Sequence, residues 1–331
     1  MAYQLFAKCS FDIFKSVIIK YNYKLIGVIM DKNVIVIQVI TLFIMMMVGF
    51  VARKKAILTP TLNKGLTELL VNITAPFLAL ASFQFEFSQK MLIEVGIVFL
   101  FSAAVHFFSI FIGKIIFRRF PSEKSKVLRF ITIFSNCGFM GYPVIGSVYG
   151  QQGIFYTSVY VATFTFFLWT YGVYIFSGKA DRESVKNAVF NPGVILTVLG
   201  LFLFLFSIQL PAPILKAVEG IGGMTTPISM IVIGASLAEI KLVEFFGGFD
   251  LYYGVVIRLL IIPLITLLIL KWLGFQGILL NVLILLVAMP AAAITVPIAE
   301  KQEGDTIFAS RLVFISTILS IFTIPMIIWL I

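Results

Sequence analysis

Apolar residues in this chain run in continuous blocks of about 20. They show neither the short alternation of barrel strands nor the single stripe of a soluble helix. The blocks fall at about 34–52, 62–83, 92–117, 127–149, 153–176, 191–209, 213–238, 249–271, 278–299 and 305–331, which predicts ten membrane-spanning helices. The most polar connection, 177–190, carries Lys179, Asp181, Arg182, Glu183 and Lys186 and divides the spans five and five. The expected fold is therefore an all-α integral membrane protein, with one five-helix unit over 34–176 and a second over 191–331.

The two units share landmarks. Gly49 in Met47-Val48-Gly49-Phe50 aligns with Gly200 in Val198-Leu199-Gly200-Leu201. Thr74-Ala75-Pro76 aligns with Thr225-Thr226-Pro227, and Ile154-Phe155-Tyr156-Thr157 with Ile307-Phe308-Ala309-Ser310, at nearly the same spacing. An odd number of spans per repeat makes the second copy insert upside down, the inverted arrangement of many secondary transporters.

Charge sets the orientation. Connections after odd-numbered spans carry sixteen Lys and Arg, including Arg53 to Lys55, Arg118, Arg119, Lys179, Arg182 and Lys241, whereas those after even-numbered spans carry only Lys90, Lys216 and Lys271. Basic loops stay on the cytoplasmic side. Both ends of the ten-span core are thus expected outside the plasma membrane. The net charge of +10 follows from this topology and from attraction to anionic lipid, without a nucleic-acid partner.

Composition agrees with the pattern. Of 331 residues, 60% are hydrophobic and 12% charged, and the mean hydropathy is +1.08, too apolar for the polar exterior of a soluble domain. Cys9 and Cys137 are read as isolated thiols. The segment 1–33 fits poorly, because Lys8, Lys15, Lys20 and Lys24 would lie on the outer side. The expectation is an upstream start that the working protein does not need, with Met30 serving instead; an interfacial helix is the alternative.

Two spans are interrupted at corresponding places, in Ser135-Asn136-Cys137-Gly138-Phe139-Met140-Gly141-Tyr142-Pro143 and in Ala288-Met289-Pro290 through Val296-Pro297. In lipid, backbone groups freed by such breaks need protein or water as partners. Paired broken helices are accordingly the best sequence pointer to a transporter's binding site.

The pattern Asn136-x-x-x-Met140-Gly141-x-Pro143 resembles the auxin efflux carrier family, which includes plant PIN carriers and bacterial malate and malonate permeases. So do Met289-Pro290-Ala291-Ala292-Ala293, Val296-Pro297-Ile298-Ala299-Glu300, Asn191-Pro192, Gly234-Ala235-Ser236-Leu237 and Arg258-Leu259 with Pro263. The resemblance spans about 34–331. It implies ten spans, crossing broken helices four and nine, and a transport domain moving against a scaffold. Ala291 stands where plant carriers commonly have a polar residue, which favours a small bacterial substrate over auxin.

The candidate substrate-binding residues are Asn136, Gly138, Gly141, Pro143, Pro290, Ala291 and Asn72. Half-helix starts favour an anionic group, Asn136 adds a donor and an acceptor, and the glycines allow close approach. Pro143 and Pro290 could instead merely kink and pack their helices. Asn72, one turn before Pro76, could equally bond the carbonyl that Pro76 frees. His106 and Arg258 sit at matching mid-span positions and are candidates for a coupling proton and for a positive charge toward an anion. Their alternatives are a neutral packed histidine and an arginine held by a carboxylate or by backbone carbonyls. Glu68, Glu94, Glu239, Glu300 and Asp305 lie near span ends, where solvation is expected.

No catalytic, nucleotide-binding or metal signature appears in the sequence, so neither an enzyme nor a cofactor or metal is expected. The expected partners are a small organic anion such as a carboxylate, membrane lipid and, as the assembly allowed for, a second copy of the chain. The alternative functions are a non-transporting membrane sensor or structural partner with a transporter fold, and an intramembrane enzyme.

Overall fold

The computed structural model describes residues 37–38, 40–179, 182–238 and 248–331. The 1–33 extension, Glu239 and Lys241 lie outside the described residues. The described chain is helical, and its one extended pairing is an isolated antiparallel bridge between Ser135 and Ala291. In chain order the helices are α1 (40–54), α2 (Pro60–Ala81), α3 (Gln89–Ile116) and α4 (Ser122–Ile133). Cys137–Ser177 follows as one hydrogen-bonded run, but Gly150, at φ 57° and ψ −148°, turns it sharply into α5 (137–149) and α6 (151–177). Few residues other than glycine tolerate that backbone. Then come α7 (Arg182–Val189), α8 (Pro192–Leu205), α9 (Ala212–Ala238), α10 (Phe249–Trp272), α11 (Gly277–Ala288), α12 (Thr295–Lys301) and α13 (Thr306–Leu330). The polar connection between the halves is therefore partly helical.

Among the described residues six helical runs are long and apolar enough to cross a membrane: α2, α3, the run Cys137–Ser177, α9, α10 and α13. Their faces suit lipid. α3 exposes Phe99, Leu100, Phe107 and Phe111 and buries Ser102, His106 and Ser109, the reverse of a helix in water. Buried hydroxyls turn back on their own helices, as in Thr132 to the Leu128 carbonyl (2.8 Å) and Thr317 to that of Val313 (2.7 Å). α11 is apolar except for Asn281, and from Val282 to Ala288 it is buried, so it forms the centre of the bundle.

Local chemistry sets the helix ends. Thr59 caps α2, with Pro60 in its first turn. Asn191 Oδ1 accepts from the Gly193 amide at 2.9 Å ahead of Pro192, and Asp305 Oδ1 accepts from the Phe308 amide at 2.9 Å to start α13. Asp305 is thus a cap and not merely a solvated carboxylate. Widened π turns at Leu70–Thr74, Cys137–Gly141 and Ile257–Ile261 each end two residues before a proline, namely Pro76, Pro143 and Pro263. A proline removes the hydrogen bond to residue i−4 and pushes that carbonyl aside, and the wider turn accommodates the displacement.

Small residues bring helices together. A Cβ at Gly49 would meet the Ile231 backbone, and one at Gly234 would meet that of Met46, so α1 and α9 touch main chain to main chain.

Candidate functional site

The two interruptions lie against each other. Met289, before Pro290, has ψ 148°, as the proline ring demands, and ends α11. The first interruption is not where a proline would put it. α4 ends at Ile133, Phe134 is extended (φ −104°, ψ 105°), and the chain re-enters a helix at Cys137. Pro143 therefore sits within the first turns of α5 and breaks nothing. Between the extended pieces the Asn136 amide donates to the Pro290 carbonyl (2.8 Å) and the Ala292 amide to the Phe134 carbonyl (3.1 Å). The Asn136 carbonyl then accepts from Met140 and Gly141 and launches α5.

Beside this pairing lies a cavity of about 120 Å³. The space is half open and a little smaller than an engineered apolar void of about 150 Å³ that holds benzene, so it encloses part of a small organic molecule rather than the whole of an aromatic acid. Ser135, Asn136, Gly138 and Phe139 from the first break and Ala292 to Ile294 from the second form one side. Leu70, Val71, Ala75 and Pro76 of α2, Phe164, Thr165 and Trp169 of α6, and Asn191 at the start of α8 also belong to the wall, with Tyr142, Val161, Leu168 and Gly193. No charged side chain belongs to this lining among the described residues. The first amides of α5 have no carbonyl behind them in their own helix, and Gly138 and Phe139 of that first turn line the cavity, so the positive end of the α5 dipole lies beside it; the turn before α12 lies on the same side.

The structure brings together only part of the predicted set. Asn136, 4% exposed, and Gly138 line the cavity; a Cβ on Gly138 would meet nothing within 4 Å. Gly141 serves packing instead, because its Cβ would come to 2.9 Å from Leu286 Cδ2 of α11. Pro290 and Ala291 shape the crossing from behind: the Pro290 carbonyl takes the Asn136 amide, and the Ala291 amide donates to Ser316 Oγ at 3.1 Å. Pro143 is buried in α5 away from the lining, and Asn72 is exposed in the π turn of α2, also outside it.

His106 and Arg258 are buried but do not line the cavity. His106 Nδ1 donates to the Ser102 carbonyl at 2.6 Å, and its ring stacks on Phe167 at 4.9 Å, with Phe134, Tyr160 and Phe164 around it. Arg258 spends its donors on backbone carbonyls: Nη1 on Thr132 (3.0 Å), Nε on Met289 (3.1 Å) and Nη2 on Val287. The bonds of Arg258 are those of an arginine held by backbone carbonyls, whereas His106 Nε2 is buried without a partner. Glu94 is not simply solvated, since the Tyr156 hydroxyl donates to it and Gln152 Nε2 donates to Tyr156 at 3.1 Å. Sequence reasoning missed Thr165 and Trp169, which sit on a helix without a polar stripe to flag them.

The model of the family described as membrane transport protein matches residues 34–188 and 182–328. The chain belongs to this family. An uncharacterized transporter of Methanocaldococcus jannaschii is 25% identical over 305 residues, covering 88% of this chain and 97% of the relative. An uncharacterized transporter of Methanothermobacter thermautotrophicus is 30% identical over 212 residues, 63% of this chain and 69% of the relative. The resemblance to auxin efflux carriers read from the motifs is borne out. The chain is a multi-pass membrane protein of a transporter family, and that family is not one of enzymes.

Proposed function

We infer that the protein is a secondary carrier that moves a small organic anion across the cell membrane by alternating access, with the anionic group held where the broken helices meet. The single observation that carries this reading is the convergence of the α5 start, Asn136 and a half-open cavity on one spot beside the Ser135–Ala291 bridge. Amides with no carbonyl behind them and a positive helix end together favour an anion. The lining favours one carboxylate on an apolar or aromatic body over malate or another dicarboxylate. Phe139, Phe164 and Trp169 suit the body. A second carboxylate would be buried without a cation, at a cost of several kcal/mol.

The same reading includes ten spans in two inverted repeats. At about 1.5 Å per residue, the 41 residues of Cys137–Ser177 are about twice what a 30 Å hydrocarbon core needs, and Gly150 folds them in two. α4 with α5, and α11 with α12, then act as two broken spans. A shift carrying Ser135 onto Ala291 carries Phe134 onto Pro290 and Asn136 onto Ala292, and so exchanges the two bonds between the breaks. Gly200, whose Cβ would meet Phe83 at the end of α2, matches Gly49 at the α1–α9 contact.

The test is reconstitution. Proteoliposomes containing the chain should take up radiolabelled phenylacetate, and malate and malonate should compete poorly. Absence of uptake for every carboxylate in a panel that includes indole-3-acetate would remove the carrier reading. A reporter after Gly178 should read cytoplasmic and one at Ile331 external; swapped signals would overturn the orientation.

A further inference from the structure

Among the described residues Arg258 is the one Lys or Arg that is fully buried, at 2% exposure. It does not touch the cavity, yet its three bonds end on carbonyls with one thing in common. Thr132 lies in the last turn of α4, and Val287 and Met289 lie at the end of α11. These are the carbonyl ends of the two helices that stop at the breaks, on the other side of the first break from the α5 start that lines the cavity. Each helix end carries about half an elementary charge, so two carbonyl ends amount to about one negative charge, which one guanidinium cancels.

We propose that Arg258 is a positioning residue for anion recognition. It ties the carbonyl ends of both interrupted helices together and neutralises them, so that the α5 start at the cavity acts on the substrate's anionic group unopposed. The inference rests on the reading of the cavity as an anion site. A guanidinium suits the task because its planar fork offers donors in fixed directions to carbonyls that arrive from two helices. A lysine ammonium would keep the charge and lose the fork.

The experiment compares phenylacetate with its uncharged isostere phenylacetamide, binding to the purified full chain in detergent. Monodispersity is checked for each variant. R258Q retains one amide donor for a carbonyl and removes the charge. It should weaken phenylacetate about tenfold, within the range of helix-end electrostatics, and leave phenylacetamide within about twofold. R258K should recover phenylacetate to within about threefold of the unchanged chain, although it cannot rebuild the fork. Equal weakening of both probes in R258Q would mean that Arg258 only fastens the fold and would overturn the proposal, as would an R258K no better than R258Q. If R258Q does not fold, R258K decides alone: losing phenylacetate tenfold while holding phenylacetamide overturns it, and retaining both supports it. An unchanged chain that binds neither probe, or shows no preference for the anion, overturns the anion site itself and this inference with it.

Discussion

The two interruptions at the centre of the bundle look alike and are made differently. The second is written into the covalent chain, since Pro290 forces Met289 out of the helical region and α11 must stop. At the first, from Phe134 to Asn136, no ring compels the chain to leave α4. The extended backbone there is held by bonds to Pro290 and Ala292 and by Arg258 on the Thr132 carbonyl. One break is a property of its own residues, and the other is a property of the assembled protein. The difference teaches that the proposed site depends on α10 and α11 being in place before the first break has its shape.

The sharpest way to probe the conditional break is at its cavity-lining residue. Asn136→Ala removes a donor and an acceptor from a buried spot, and a lost bond to a charged partner is worth about 1.5–3 kcal/mol. Apparent affinity for the transported anion should fall about 10- to 150-fold, with near-normal membrane insertion, while Asn187→Ala in exposed α7 should change neither. An unchanged transport KM in Asn136→Ala would detach the first break from the substrate.

Prolines provide the next contrast. Pro290→Ala removes a local preference against helix of about 3 kcal/mol, so initial transport rates should drop at least about tenfold. Pro143→Ala, within a continuous helix, should stay within about twofold. Equal losses would erase the distinction drawn between the breaks.

Glycines then separate packing from binding. Gly141→Ala crowds Leu286 and should cost about 1–3 kcal/mol, visible as a lowered melting temperature. Gly138→Ala points into open space and should keep its melting temperature while weakening substrate binding. The smallest effect belongs to Asn72→Ala, which should leave transport kinetics within about twofold, because Asn72 is exposed outside the cavity wall.

Much of the fold was legible because bilayer thickness writes itself into block length, and the helix starts at Pro60, Pro192 and Asp305 carry their own caps. The second break was legible for the same local reason. The first was located only roughly: the conspicuous Pro143 lies inside α5, and the true break at Phe134 to Asn136 depends on partners more than 150 residues away. Arg258 could be singled out as an intramembrane charge, but not its acceptors, because Thr132 is 126 residues distant in sequence. Phe164, Thr165 and Trp169 were invisible as a wall, since a helix packed among apolar neighbours shows no contrast between its faces.

The fastening at Arg258 also bears on the order in which the chain is made. α10 leaves the ribosome before α11, so Arg258 reaches the bilayer when only Thr132, of its three acceptors, already exists. Until Val287 and Met289 follow, an arginine at mid-membrane costs about 2.5–3.5 kcal/mol on insertion scales. The surrounding leucines and isoleucines of α10, each contributing about −0.3 to −0.6 kcal/mol on the same scale, outweigh that cost. The newborn segment can thus wait in lipid for the remainder of the protein after Trp272, whose arrival satisfies the arginine and completes the first break together.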